Sequence, residues 1–245
     1  MKGPTKVLMV ATSHAVMGDS GAPTGAWLEE LSTPYYAFLD ADCEVEIASI
    51  KGGPIPFDPH SHSAESNVSA SARRFLRDPA AMLKVEQSVP IKQVNAAHID
   101  VLLLPGGHGT MWDFPNNRVL GALVTAVWET GGVLAAVCHG PAGLVNAVDG
   151  RGIHIVKGRR VSAFTDSEER ASGLDGVVPF LLETRLRSQG AQFVGGPDFQ
   201  PFAVRDGRLV TGQNPASAQH LSELVFEALV QPGKGDGAMH RAVLQ

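Results

Sequence analysis

The 245-residue chain carries 20 Lys and Arg against 25 Asp and Glu, a formal net charge of −5, which argues against a surface built to track nucleic-acid phosphates. Its length supports a domain that buries about three quarters of its unfolded surface, and two cysteines, Cys43 and Cys138, make no disulfide framework. With 27 Gly and 16 Pro it is neither collagenous nor low-complexity, and it has no apolar run of the roughly 18 residues that a membrane span needs, so a soluble, cytoplasmic protein is expected.

Residues 7–11 form an apolar run shorter than a signal-peptide core and read as a first strand. Trp27, Leu28, Leu31, Tyr35 and Phe38 recur at spacings of three and four, predicting an amphipathic helix over 25–40 with a kink or break at Pro34. A second strand is expected at 45–48, and further buried strands at 101–104 and 133–137. Residues 51–97, rich in Gly, Pro and polar side chains, read as an insertion carrying one or two short helices. A helix is expected from Gly140 to about Ala147, then a hairpin of 153–156 and 160–163 around Gly158. A helix over 175–189 ends at Gly190, a second hairpin spans 204–210 with an Asp206-Gly207 turn, and 216–230 forms the last helix. The alternation of strands and helices predicts one α/β domain over 1–232, a flavodoxin-like sandwich whose mainly parallel sheet is flanked by helices, followed by a loosely ordered tail at 233–245.

The chemistry is concentrated in Gly131-Gly132-Val133-Leu134-Ala135-Ala136-Val137-Cys138-His139-Gly140-Pro141-Ala142. A buried strand ends in a cysteine followed by turn-forming residues, the layout of a nucleophile elbow. Such an elbow stands at the carboxyl end of the sheet, where open α/β folds bind ligands. A thiol there also faces a helix N-terminus, which favours the reactive thiolate. Leu104-Pro105-Gly106-Gly107-His108-Gly109-Thr110 likewise follows a buried strand and opens at the same edge. Its backbone N–H groups, with the one after the nucleophile, have the makings of an oxyanion hole.

Val137-Cys138-His139-Gly140-Pro141 together with Leu104-Pro105-Gly106-Gly107-His108-Gly109 resembles the ThiJ/PfpI superfamily. Pro34-Tyr35, Ser49-Ile50-Lys51-Gly52-Gly53, Asp58-Pro59-His60-Ser61, Ala163-Phe164-Thr165-Asp166-Ser167-Glu168-Glu169 and Leu209-Val210-Thr211-Gly212-Gln213-Asn214-Pro215-Ala216-Ser217 resemble its branch of heat-inducible chaperones and glutathione-independent glyoxalase III enzymes. The resemblance implies Cys138 as nucleophile with His139 beside it, Glu30 as the acid held against the thiol, and Glu169 as the carboxylate that orients the histidine. Glu29 and Glu168 lie one residue from the last two positions, and Asp166 is a further alternative. Helix geometry separates the first pair, because Leu28 and Leu31 face the sheet with Glu30 on the adjoining stripe while Glu29 points away.

The resemblance implies conversion of methylglyoxal and related 2-oxoaldehydes to 2-hydroxy acids such as lactate, through a Cys138 hemithioacetal, without metal or organic cofactor. Gly106, Gly107, His108 and His139 would hold the oxyanion and substrate. Removal of glycation adducts, a holding-chaperone role with unfolded clients, and a peptidase or amidotransferase activity are the competing readings. The amidotransferase reading lacks a downstream His-Pro-Glu tripeptide. His60 and His62 could ligate a metal together, but no carboxylate stands at ligand spacing. Cys43 reads as core packing, and a homodimer is expected because family members commonly form one.

Overall fold

The computed structural model describes residues 3–63 and 68–231. In chain order its strands and α-helices are β1 (Lys6–Ala11), α1 (Leu28–Leu39), β2 (Glu44–Ser49), α2 (Ala70–Leu76), α3 (Pro79–Glu86), β3 (Val89–Pro90), β4 (Val101–Leu104), α4 (Thr110–Asp113), α5 (Arg118–Glu129), β5 (Val133–Val137), β6 (Arg160–Val161), α6 (Asp166–Ala171), α7 (Leu182–Ser188), β7 (Gln192–Phe193), β8 (Ala203–Asp206), β9 (Leu209–Gly212) and α8 (Ala218–Val230). One sheet runs β3-β2-β1-β4-β5-β9-β8, and β6 pairs with β7 separately. Every neighbour in the large sheet is parallel except β8 with β9.

Alternation of side chains across the strands builds two cores. Val7 and Met9 of β1 and Val101 and Leu103 of β4 pack with Leu28, Leu31 and Phe38 of α1 and Leu221 and Val225 of α8. Leu8, Leu102 and Leu134 point the other way, onto Leu120, Val124 and Val127 of α5 and Leu182 and Leu186 of α7. The sheet is therefore covered on both faces, as parallel sheets require. Strand order reverses beside β1, between β2 and β4, and the carboxyl ends of β1, β4 and β5 open at one edge.

Several local expectations are corrected. The stretch after Gly140 is a 3₁₀ helix of five residues, Gly140–Leu144, because Gly140, Pro141 and Gly143 are poor α-helix formers. The hairpin around Gly158 does not form: β6 pairs parallel to β7, and Gly158 N donates to Gly190 O at 2.8 Å, tying that turn to the end of α7. The helix expected over 175–189 shrinks to α7, since Pro179 lacks an N–H and disfavours helix in the residue before it. In the second hairpin Asp206 pairs with Leu209, leaving Gly207 and Arg208 as the loop. The 51–97 region is woven into the sheet through β3, and α1 runs unbroken through Pro34. Helix α5, unanticipated, carries Leu120, Leu123, Val124 and Val127 at helical spacing behind an Asn117 N-cap. The tail assigned to 233–245 lies outside the described residues, among which no helix is long and apolar enough to cross a membrane.

Candidate active site

Cys138 follows β5 directly and takes the left-handed region, at φ 58°. A non-glycine residue there costs roughly 1–2 kcal/mol, and the surroundings hold it: Cys138 N donates to Gly212 O at 2.9 Å, and Phe164 N donates to Cys138 O at 2.8 Å. The chain then turns sharply into the 3₁₀ segment, which gives the elbow its shape.

Glycines bring the β4 loop against this elbow. A Cβ on Gly106 would lie 2.6 Å from His139 N and 2.7 Å from a Glu30 carboxyl oxygen, so no other residue fits between the two. Gly107 takes φ 96°, and its backbone N–H is near enough to the Cys138 sulfur to favour the thiolate. Thr110 Oγ1 donates to Gly107 O at 2.9 Å and to His139 O at 3.1 Å, fastening loop to elbow. Trp27 N donates to Gly106 O, and Gly109 N to Gly25 O, which stitches the start of α1 to the same loop.

That stitching delivers Glu30. Its side chain is completely buried, and Oε2 accepts from Gly106 N at 2.7 Å. Oε1 makes no conventional hydrogen bond among the described residues, and the carboxyl group interacts with the Cys138 thiol. Burial, outweighing the Gly106 and Cys138 interactions, pushes Glu30 up to about 8, so near neutrality it is a carboxylic acid. Glu29 is half-buried and interacts with Ser69 instead.

Glu169, in the first turn of α6, accepts from two imidazoles: His139 Nε2 on Oε2 at 2.7 Å and His108 Nε2 on Oε1 at 2.8 Å. Burial alone would raise this carboxyl, but His139 and His108 hold it down to about 2. An ionised carboxylate only accepts, so both Nε2 atoms carry hydrogen. Burial, with His108 nearby, lowers His139, leaving it neutral with a bare Nδ1 3.3 Å from Cys138 Sγ. The thiol itself is raised by burial and by the Glu30 charge. The thiolate-favouring helix expected from the sequence is replaced by a short 3₁₀ turn, and His139 is the group positioned to take the proton.

Glu168, next in the chain, faces the opposite way. It accepts from Thr165 N, Phe199 N, Gln213 Nε2 and Asn214 Nδ2 at 2.7–3.1 Å, joining three segments around one buried carboxyl. Asp166 bonds to Thr184 and stays outside the cluster. Phe164 covers the imidazoles, its ring 4.6 Å from that of His139 and 6.1 Å from that of His108.

His108, His139 and Glu169 also form a group whose ligand atoms lie within 4.8 Å of one another, as a metal would need. Their facing atoms are already paired in N–H···O bonds. His60 and His62 do not converge on a ligand set, since both turn onto Asp58. Cys43 is half-buried, packed at the margin of one core.

Residues 23–228 match the DJ-1/PfpI family. The chain belongs to the DJ-1/PfpI family. This member of DJ-1/PfpI is 32% identical to the probable glutathione-independent glyoxalase hsp3103 of Schizosaccharomyces pombe, over 94% of this chain and 100% of that protein. Among solved structures it superposes on the Rapid Encystment Protein of 24 kDa from Francisella tularensis with a TM-score of 0.88 at 39% identity, covering 92% of this chain and 99% of that one. It superposes on glyoxalase III from Candida albicans with a TM-score of 0.84 at 29% identity, covering 91% and 97%.

The structure thus brings together Cys138, His139, Glu30, Glu169, Gly106, Gly107 and His108, all named from the sequence. Sequence reasoning treated the His108 loop as a source of backbone N–H groups and missed the side-chain bond to Glu169. It also missed the hub role of Glu168, whose only local signal is the Thr165-x-x-Glu168 capping box.

Proposed function

We propose that this protein is a glutathione-independent glyoxalase, converting methylglyoxal and related 2-oxoaldehydes to 2-hydroxy acids. The observation that carries the proposal is the line Glu169–His139–Cys138, with the protonated Glu30 also beside the thiol. A neutral imidazole with its outer nitrogen fixed on a carboxylate presents a bare nitrogen to the thiol, the arrangement for nucleophilic addition. The relatives named above as glyoxalases supply the substrate class.

Cys138 Sγ attacks the aldehyde carbon while the thiol proton passes to His139 Nδ1, and the C=O becomes an alkoxide facing the N–H groups of Gly107 and His139. Protonation of that oxygen gives the hemithioacetal. Loss of the proton on the former aldehyde carbon yields an enediol, and proton delivery to the neighbouring carbon gives a 2-hydroxy thioester. Water then cleaves the C–S bond and restores the thiol, so the net change is the addition of one water with no external oxidant. His139 acts as base and Glu30 as acid in this scheme: burial lowers His139 and keeps it the neutral, proton-accepting form, while burial pushes Glu30 up to about 8 and keeps it a proton donor near neutrality.

Cys138 is only 3% exposed and Phe164 closes over the imidazoles, which favours a small substrate over a polypeptide and argues against a peptidase. The test is lactate production from methylglyoxal by wild type and Cys138→Ser. Complete loss in the variant supports the reading, and retained turnover refutes it.

A further inference from the structure

One residue beside the site carries a cost that the fold does not repay. Phe199 occupies the left-handed region at φ 59°. It is the third residue of a tight turn in which Gln200 N donates to Pro197 O at 3.2 Å, the position where a positive φ normally selects Gly or Asn. A bulky aromatic there is a backbone outlier, and its side chain remains 49% exposed. Core burial therefore does not account for it. Strain of this kind concentrates at functional sites when the surroundings over-determine it.

The surroundings do so here. Phe199 N donates to Glu168 Oε1 at 2.7 Å, Asp198 Oδ1 accepts from Ser167 Oγ at 2.7 Å, and Gln200 O accepts from Asn214 Nδ2 at 2.8 Å. Two of the three anchors come from α6, the helix that carries Glu169. The result is a series of rings: His139 to Phe164 at 4.6 Å, then Phe164 to Phe199 at 6.2 Å, with Phe199 outermost and open to solvent. An exposed ring on a backbone anchored at three points costs less conformational entropy when a ligand packs on it than a ring on a free loop would.

We propose that Phe199 is a specificity-determining residue: its ring, presented by an anchored backbone, forms an apolar wall on the approach to Cys138 and selects 2-oxoaldehydes whose substituent is aromatic or extended and apolar over those bearing hydrogen or methyl. The substituent packs on the Phe199 ring while the aldehyde carbon reaches the sulfur. This proposal rests on the glyoxalase reading for its substrate and on geometry alone for its wall.

The test compares wild type with F199G and F199W, using phenylglyoxal and methylglyoxal, alongside thermal unfolding. Glycine relieves the backbone and deletes the ring, so F199G keeps or raises the Tm while the ratio of kcat/KM for phenylglyoxal over methylglyoxal falls about tenfold. F199W retains the preference. A Tm drop of several degrees with both substrates losing in parallel would make the ring a packing element and overturn the proposal, as would an unchanged ratio in F199G. A second arm needs no turnover: alkylation of Cys138 by N-phenyliodoacetamide and by iodoacetamide, followed by mass spectrometry of the Cys138 peptide. The phenyl preference falls in F199G if the wall exists and is unchanged if it does not. Should wild type convert neither aldehyde, the glyoxalase reading fails while the alkylation ratio still decides the role of Phe199.

Discussion

The 2.7 Å hydrogen bond from His139 Nε2 to Glu169 Oε2 sets the tautomer of a histidine that is the next residue after the cysteine it serves. Adjacent residues in an extended chain point apart, and it is the left-handed backbone of Cys138 that turns the sulfur and the Nδ1 atom to within 3.3 Å. Replacing Glu169 by Gln keeps the shape but can present an amide N–H to Nε2, which would move the imidazole hydrogen to Nδ1. Lactate formation by Glu169→Gln is expected to fall by about 10³–10⁴-fold in kcat, by analogy with the wrong-tautomer effect in hydrolytic triads. Steady-state kinetics with thermal unfolding as a control checks it; a loss below tenfold would remove Glu169 from the mechanism.

Glu168→Ala should behave differently from its neighbour. Removing the carboxyl leaves Phe199 N, Gln213 Nε2 and Asn214 Nδ2 without that acceptor in a buried place. We expect about 2–4 kcal/mol of destabilisation, seen as a clear drop in Tm. Glu168→Gln, which keeps one acceptor oxygen, should lie between. A wild-type Tm in Glu168→Ala would show that these donors find water instead.

Stability should also fall as pH rises from mildly acid to about 8 because of Glu30. Its folded value is about 8 against an ordinary 4.5, so the folded state holds a proton that the unfolded chain releases, and stability declines as pH rises from about 4.5 to 8. Asp113, pushed by burial to about 6, adds a decline of the same sign that is complete earlier. Glu169, held at about 2, works oppositely, its contribution being lost as pH falls from 4.5 towards 2. Depressed His139 acts below its ordinary 6.5, and the raised thiol acts above 9. Between pH 7 and 8 Glu30 dominates, with a slope of about 1 kcal/mol per pH unit. Denaturant titrations of wild type and Glu30→Gln over that interval should show the slope only in the wild type.

Gly106→Ala should fold poorly or, if folded, lose activity. The new methyl would stand 2.7 Å from Glu30 Oε2 and 2.6 Å from His139 N, driving the acid and the elbow apart. Lactate assays on whatever folded fraction circular dichroism reports would check this. Wild-type turnover would show that the two loops can separate without consequence.

The parts of the fold that were legible in the sequence were those with dense local signals. β1, β4 and β5 are continuous apolar runs, and Cys138 follows the last of them. Glu30 could be separated from Glu29 because helical spacing puts one beside Leu28 and Leu31 and the other away. The misread elements depend on distant partners: Gly158 is bound to Gly190, and β6 pairs with β7 from across α7, neither of which local patterning encodes. Pro179 did carry a local signal, which the apolar spacing of Val177, Val178 and Leu181 obscured. Phe199 left no trace, since its significance lies in a backbone angle and in a hydrogen bond to Glu168, 31 residues away.

The bond from Cys138 N to Gly212 O has a consequence for how the protein is made. The thiol, its acid, its imidazoles and its aromatic cover come from chain segments that emerge from the ribosome one after another, and the strand that fastens the elbow is among the last. Until residues 209–212 have left the exit tunnel, Cys138 is an ordinary accessible thiol, open to oxidants and to the very aldehydes that the finished site would process. The geometry that sets this sulfur against His139 is therefore completed only when the last strand of the sheet is in place, so the site's chemistry becomes available with completion of the domain and not before.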